Sequence, residues 1–133
     1  MTANGALRRV AALAILASIL AAFSAFQASG DAPKAPPAGN PANAKPIFTS
    51  KCIACHKVDG TGGVKLTGNP TPNWKDPKTW ADPKRKNVDA YLRDCITNGK
   101  APSGMVAWGK TGQLKPQQIE DLIAYIKTTF KPK

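Results

Sequence analysis

A single histidine, His56, stands in this chain of 133 residues. No second imidazole is present to catalyse proton transfer. Methionine is nearly as scarce, because only Met105 remains after the initiator. Acidic residues number 8 against 19 basic ones, a formal net charge of +11. Such a balance favours acidic partners or anionic surfaces. Cysteine is limited to three, an odd number that internal disulfides cannot consume. A βαβ pattern is also missing, which removes the usual setting of a thioredoxin-like redox pair.

What is present is concentrated in Cys52-Ile53-Ala54-Cys55-His56. Two cysteines three residues apart, followed at once by histidine, have the spacing of a c-type haem attachment site. Each thiol can add across one haem vinyl group to give a thioether. A short helical or turn-like segment brings both onto one side of the backbone. His56 can then swing under the ring and offer a nitrogen to the iron, and the tethers make that ligation effectively intramolecular. Two alternatives stay open at this point. One is thiol–disulfide chemistry. The other is zinc held by Cys52, Cys55, His56 and Cys95, although adjacent Cys55 and His56 would strain to reach two corners of one tetrahedron.

Arg8 and Arg9 precede an uncharged run of 17 residues, Val10 to Phe26. This is the pattern of a secretory leader, expected over residues 1–30, with cleavage after Ser24 (Ala22-Phe23-Ser24) or after Gly30 (Ala28-Ser29-Gly30). The alternative is an uncleaved membrane anchor, since 17 apolar residues reach the lower edge of a spanning helix. No cysteine near its end could take a lipid. Residues 31–41 form a Pro/Ala-rich linker with almost no large apolar side chain, and residues 42–133 form the folded domain. Removing residues 1–30 takes away Arg8 and Arg9, leaving 17 basic and 8 acidic residues, or +9. Two haem propionates would bring that to about +7. A domain of about 90 residues has a limited core and gains from a staple such as a covalently held porphyrin.

Along the domain, a first helix is expected from about Pro46 to Cys55, ending on the motif. Gly60, Gly62 and Gly63 then make a loop. Prolines interrupt residues 64–86, where Trp74 and Trp80 serve either as core or as walls for the haem. Lys84-Arg85-Lys86 reads as a solvated charge run. A second helix covers about Asn87 to Asn98, with Val88, Tyr91, Leu92, Cys95 and Ile96 on one stripe and Gly99 at its stop. Cys95 is expected to be a buried, inert thiol. Met105 follows on a loop that Pro102 and Gly104 keep from being helical. A thioether there suits haem iron opposite histidine and raises the reduction potential. The last helix runs from about Pro116 to Thr129, with Ile119, Leu122, Ile123, Ile126 and Phe130 on its apolar face.

The order of these features over residues 42–133 resembles the class I cytochrome c family. The resemblance implies an all-α fold of three main helices packed around one covalently bound haem c. It implies that Cys52 and Cys55 are the thioether residues, that His56 is the proximal iron ligand and that Met105 is the distal one. Phe48 and Tyr125 resemble the family's crossing pair between first and last helices. One departure concerns Gly-Pro-x-Leu, whose backbone carbonyl accepts the other imidazole N–H in family members. The corresponding stretch is expected at Gly62-Gly63-Val64-Lys65-Leu66, which lacks the proline.

The implied function is one-electron transfer by an exported, periplasmic carrier rather than an enzyme. Its partners would be oxidases, reductases or dehydrogenases with acidic docking surfaces, as in a respiratory chain. A monomer that binds no nucleic acid is expected, and anchoring through the N-terminal segment remains the alternative to release. The rival class is an enzyme or gas sensor with an open iron position, and Met105 discriminates between them.

Overall fold

The protein is described by a computed structural model over residues 35–133. The leader expected over residues 1–30 and the first linker residues, 31–34, lie outside the described residues. Asn40 opens the first helix, α1, which spans Pro41–Lys51. Its side chain accepts the N–H of Ala42 at 3.0 Å. Pro41 fills the first helical position, where a missing N–H costs nothing. The helix therefore begins five residues before the start expected at Pro46. Pro46 lies inside α1, where its lost hydrogen bond falls on an exposed turn beside Ala42 and Lys45.

A break at Cys52 separates α1 from α2, Ile53–His56. The proline-rich stretch that follows is more ordered than expected. It holds α3, Pro77–Ala81, and a 3-10 turn, Pro83–Arg85. Asp76 and Asp82 cap them by accepting the N–H groups of Lys78 and Lys84, each at 2.9 Å. Pro77 and Pro83 thus start helical turns rather than interrupt them.

The last two helices fall where the apolar stripes place them. In α4, Val88–Asn98, the Asn87 side chain accepts the Ala90 N–H at 3.0 Å. Gly99 ends the helix at φ 69°, a left-handed conformation that glycine adopts without strain. In α5, Pro116–Phe130, Gln118 reaches back to accept the Lys115 N–H at 2.9 Å.

Both α1 and α4 pack against α5. From α5 come Ile119, Leu122, Ile123, Ile126 and Phe130; from α4, Leu92, Cys95 and Ile96; from α1, Ala44 and Phe48. Ala44 and Phe48 sit one helical turn apart, and the Phe48 ring lies 5.3 Å from those of both Tyr125 and Phe130. The expected Phe48–Tyr125 pair is in contact. Burying a ring of this size contributes roughly 1.5–3 kcal/mol. A forked Arg93–Glu120 pair and a Lys127–Asp89 pair at 2.6 Å link α4 to α5 across exposed surface, and each stabilises by about 1 kcal/mol or less. Among the described residues no strand forms, apart from an isolated bridge between Lys100 and Met105. Among the same residues, no helix is long and apolar enough to cross a membrane.

Candidate haem site

The turn joining α1 to α2 carries both motif thiols and the imidazole. The N–H groups of Cys55 and His56 both donate to the Cys52 carbonyl, at 3.2 and 2.9 Å. Cys52 and Cys55 are free, half-buried thiols one helical turn apart. Burial, reinforced by Cys55 and opposed by Lys51, pushes the Cys52 thiol up to about 11. It stays protonated at neutral pH, whereas exchange-active cysteines have lowered values. Zinc also loses its geometry. Among the described residues no three His, Cys, Asp or Glu side chains converge into a metal-holding group. Cys95 is buried on α4 as expected, its thiol pushed up chiefly by burial.

Burial lowers His56 to about 4, so its ring is neutral at pH 7, the form that carries a lone pair for a metal. The ring's Nδ1 is buried and has no hydrogen-bond partner. Trp74 lies flat against the imidazole, with centroids 4.3 Å apart and planes 7° from parallel. The same indole meets Phe130 at 5.6 Å and Phe48 at 6.2 Å. Trp74 is therefore a core residue that also touches the candidate ligand. Trp80 stays half-buried and donates its indole N–H to the Trp74 carbonyl at 2.7 Å.

Glycines and one threonine bring Trp74 there. Gly60 and Gly62 take φ values of 76° and 56°, and the backbone carbonyls of Thr71 and Pro72 crowd Gly62 so closely that no side chain fits. The Thr71 hydroxyl donates to the Cys55 carbonyl at 2.8 Å and accepts the Val64 N–H at 3.1 Å. The Trp74 N–H donates to the Gly60 carbonyl at 2.9 Å. These bonds correct one sequence-based placement. The segment beside the motif is Thr71-Pro72-Asn73-Trp74, which has a proline and a large apolar residue at the family's spacing. From Gly62 and Gly63 the chain instead turns outward, and residues 65–70 are all exposed. Trp74 is the residue whose place, core or haem wall, the sequence left undecided. The signal for it was Pro-x-apolar after a glycine loop.

Met105 lies on a separate loop. Lys100 and Met105 exchange backbone hydrogen bonds at 3.1 and 3.2 Å around a 3-10 turn, Ala101–Ser103, and Gly104 at φ 75°. The Thr67 hydroxyl donates to the Pro102 carbonyl at 2.9 Å, so the loop leaving His56 braces the methionine loop. Cys52 and Met105 both pack, half-buried, against the same apolar core. Lys51 sits 4.7 Å over the Trp108 ring beside them in sequence. The donor set is two thiols on one turn, a neutral imidazole with one nitrogen sealed inside, and a thioether on a braced loop. It fits a covalently tethered haem.

The family model for cytochrome c matches residues 41–130. The chain belongs to the class I cytochrome c family. It is 36% identical over 89 residues to a cytochrome c6 of Rippkaea orientalis (strain PCC 8801 / RF-1), covering 67% of this chain and 70% of that relative. It is 30% identical over 101 residues to a cytochrome c of Nigella damascena, covering 68% of this chain and 91% of that relative. No solved structure matches. Membership of this cytochrome family means one covalent haem c with its iron, and electron transfer between redox partner proteins rather than enzymatic turnover.

Proposed function

We propose that this cytochrome is an exported monohaem electron carrier with the iron held between His56 and Met105. Cys52 and Cys55 are its thioether residues. The observation that carries this reading is the half-buried His56, its Nδ1 sealed from solvent, on the same turn as two free thiols. When bound, the haem supplies an iron that takes up and returns one electron. His56 contributes a nitrogen lone pair without first losing a proton. Met105 contributes a soft, neutral sulfur, which favours the ferrous state. The core of Phe48, Trp74, Leu122 and Phe130 excludes water from the inner side.

The N-terminal half of the proposal rests on the sequence. Residues 1–30 act as an export leader, residues 31–41 as a linker, and residues 42–133 as the haem domain. The exported chain works as a monomer in a periplasm-like compartment. Its basic surface steers it toward acidic faces of an oxidase, reductase or dehydrogenase, with association weakening as salt rises. Among the described residues, Arg85, Arg93, Lys100 and Lys127 pair with carboxylates, whereas Lys45, Lys57, Lys65, Lys75 and Lys110 form no carboxylate pair.

The visible spectrum of the oxidised protein tests the ligand set. A methionine–iron charge-transfer band, with the ferrous form excluding carbon monoxide, is the expected result. No such band and ready carbon monoxide binding would instead place the protein with the open-site haem proteins.

A further inference from the structure

A ligand carried on a loop is held only as firmly as the loop's own backbone. The far side of the methionine loop is held by α4, because the Gly109 and Lys110 N–H groups donate to the Ile96 and Thr97 carbonyls at 3.3 and 2.9 Å. The near side is gripped from another direction, by the exposed residues 65–70.

These residues form an arm whose ends are pinched together. At its neck the Gly63 N–H donates to the Thr71 carbonyl and the Thr71 N–H to the Val64 carbonyl, each at 2.9 Å. The Thr71 hydroxyl ties that neck to the Cys55 carbonyl at 2.8 Å, on the turn that carries both motif thiols and His56. At the tip, the Thr67 hydroxyl donates to the Pro102 carbonyl at 2.9 Å, across 35 residues of sequence. Gly68 passes so close to the same carbonyl that a side chain there would strike it. Leu66 lies over Gly104, where a Cβ would come 3.3 Å from the leucine Cδ1. Because Leu66 remains 57% exposed, its own burial holds the arm only weakly, and the Thr67 bond and the Gly68 fit do most of the holding.

We propose that this arm, through Thr67 and Gly68, is the positioning element that keeps Met105 at the iron, by fixing the methionine loop relative to the Cys52–His56 turn. This rests on the reading of Met105 as the sixth ligand. Thr67 acts through Pro102, and Gly104 at φ 75°, between Pro102 and Met105, is the point about which the loop can swing. With the arm released, Met105 withdraws more often. The apparent affinity of an external ligand then rises with the fraction of protein whose site is open. The arm thereby sets how well a closed electron carrier rejects small ligands.

The test uses the full haem-loaded protein with Thr67→Val, Thr67→Ser and Gly68→Ala, and with Asn69→Ala as a control on the same arm. Imidazole is titrated into the oxidised form and followed by loss of the methionine–iron band. Thr67→Val keeps the side-chain shape without the hydroxyl. It should bind imidazole about two- to tenfold more tightly, the factor that one net hydrogen bond supplies. Gly68→Ala should bind it at least as tightly as Thr67→Val does. Thr67→Ser restores the hydroxyl and should return the wild-type affinity, which Asn69→Ala should also keep. A merely structural role would lower the unfolding temperature and leave imidazole affinity unchanged. Wild-type affinity in both Thr67→Val and Gly68→Ala would overturn the proposal. In the reduced wild type a proton–proton contact between the Leu66 methyls and the Gly104 Cα protons is expected, and its absence would overturn the proposal even if no variant folds. An oxidised wild type without the methionine–iron band would overturn the ligand reading and the proposal with it. The Leu66–Gly104 contact, still present in that case, tells this failure from a misplaced arm.

Discussion

Asp121 on α5 accepts the backbone N–H of Asn40 at 2.7 Å, across 81 residues of sequence. Asn40 caps α1, so a carboxylate of the last helix completes the start of the first, where negative charge is favoured. Asp121 also accepts from the side-chain amides of Gln117 at 3.1 Å and Asn43 at 3.4 Å. Close by, Gly39 passes so near the Glu120 carbonyl that a side chain there would collide. The proline-rich segment is thereby pinned onto α5 before α1 begins.

Burial pushes the Asp121 carboxyl up, but the donors from Asn40, Gln117 and Asn43 outweigh it and hold the group below its ordinary value. A folded-state value below the unfolded one stabilises above about pH 4 and is lost as pH falls through the folded value. Asp121→Asn should therefore cost about 1–3 kcal/mol at pH 7. The gap to wild type should close as thermal unfolding is repeated from pH 5 down to pH 2. A constant gap across that range would show that the charge is not what matters.

Met105→Ala should leave the haem covalently attached and the helices intact while removing the soft sulfur donor. The reduction potential should fall by on the order of 100 mV, within the roughly 0.8 V that axial ligation spans. The oxidised protein should lose its methionine–iron band, and the ferrous protein should bind carbon monoxide. Potentiometry with optical readout checks all three.

Gly99→Ala tests the frame of the methionine loop. A Cβ at Gly99 would come within 2.5 Å of the Met105 carbonyl and 2.8 Å of the Ala107 nitrogen, at φ 69°. That backbone conformation, with ψ −176°, is essentially reserved for glycine and alone costs an alanine about 1–3 kcal/mol. In this variant the methionine–iron band should disappear on heating well before far-UV circular dichroism reports unfolding. Coincident loss of both signals at the wild-type temperature would contradict the role given to Gly99.

Both α4 and α5 are legible in the sequence because each combines a continuous apolar stripe with boundary residues: Asn87 and Gly99, then Pro116. The start of α1 is harder to read. Its Asn40-Pro41 signal lies within a proline-rich run, and only Ala44 and Phe48 mark its buried face. Helix α3 is missed because Asp-Pro pairs read equally as breaks and as capped starts. The attachment motif is local and stands in plain view. The stack of Trp74 on His56 is not, because it depends on a glycine-led loop leaving at Gly60 and returning through Thr71. Composition and spacing do not encode that return path. The Thr71–Cys55 hydrogen bond fixes it.

The most direct measurement is tandem mass spectrometry of a tryptic digest of the exported protein after alkylation. Cleavage after Lys51 and Lys57 releases Cys52-Ile53-Ala54-Cys55-His56-Lys57 as one peptide. That peptide should carry the mass of one haem with neither cysteine alkylated, while the Cys95 peptide is recovered alkylated. Recovery of the Cys52–Lys57 peptide doubly alkylated and without haem would contradict the attachment site.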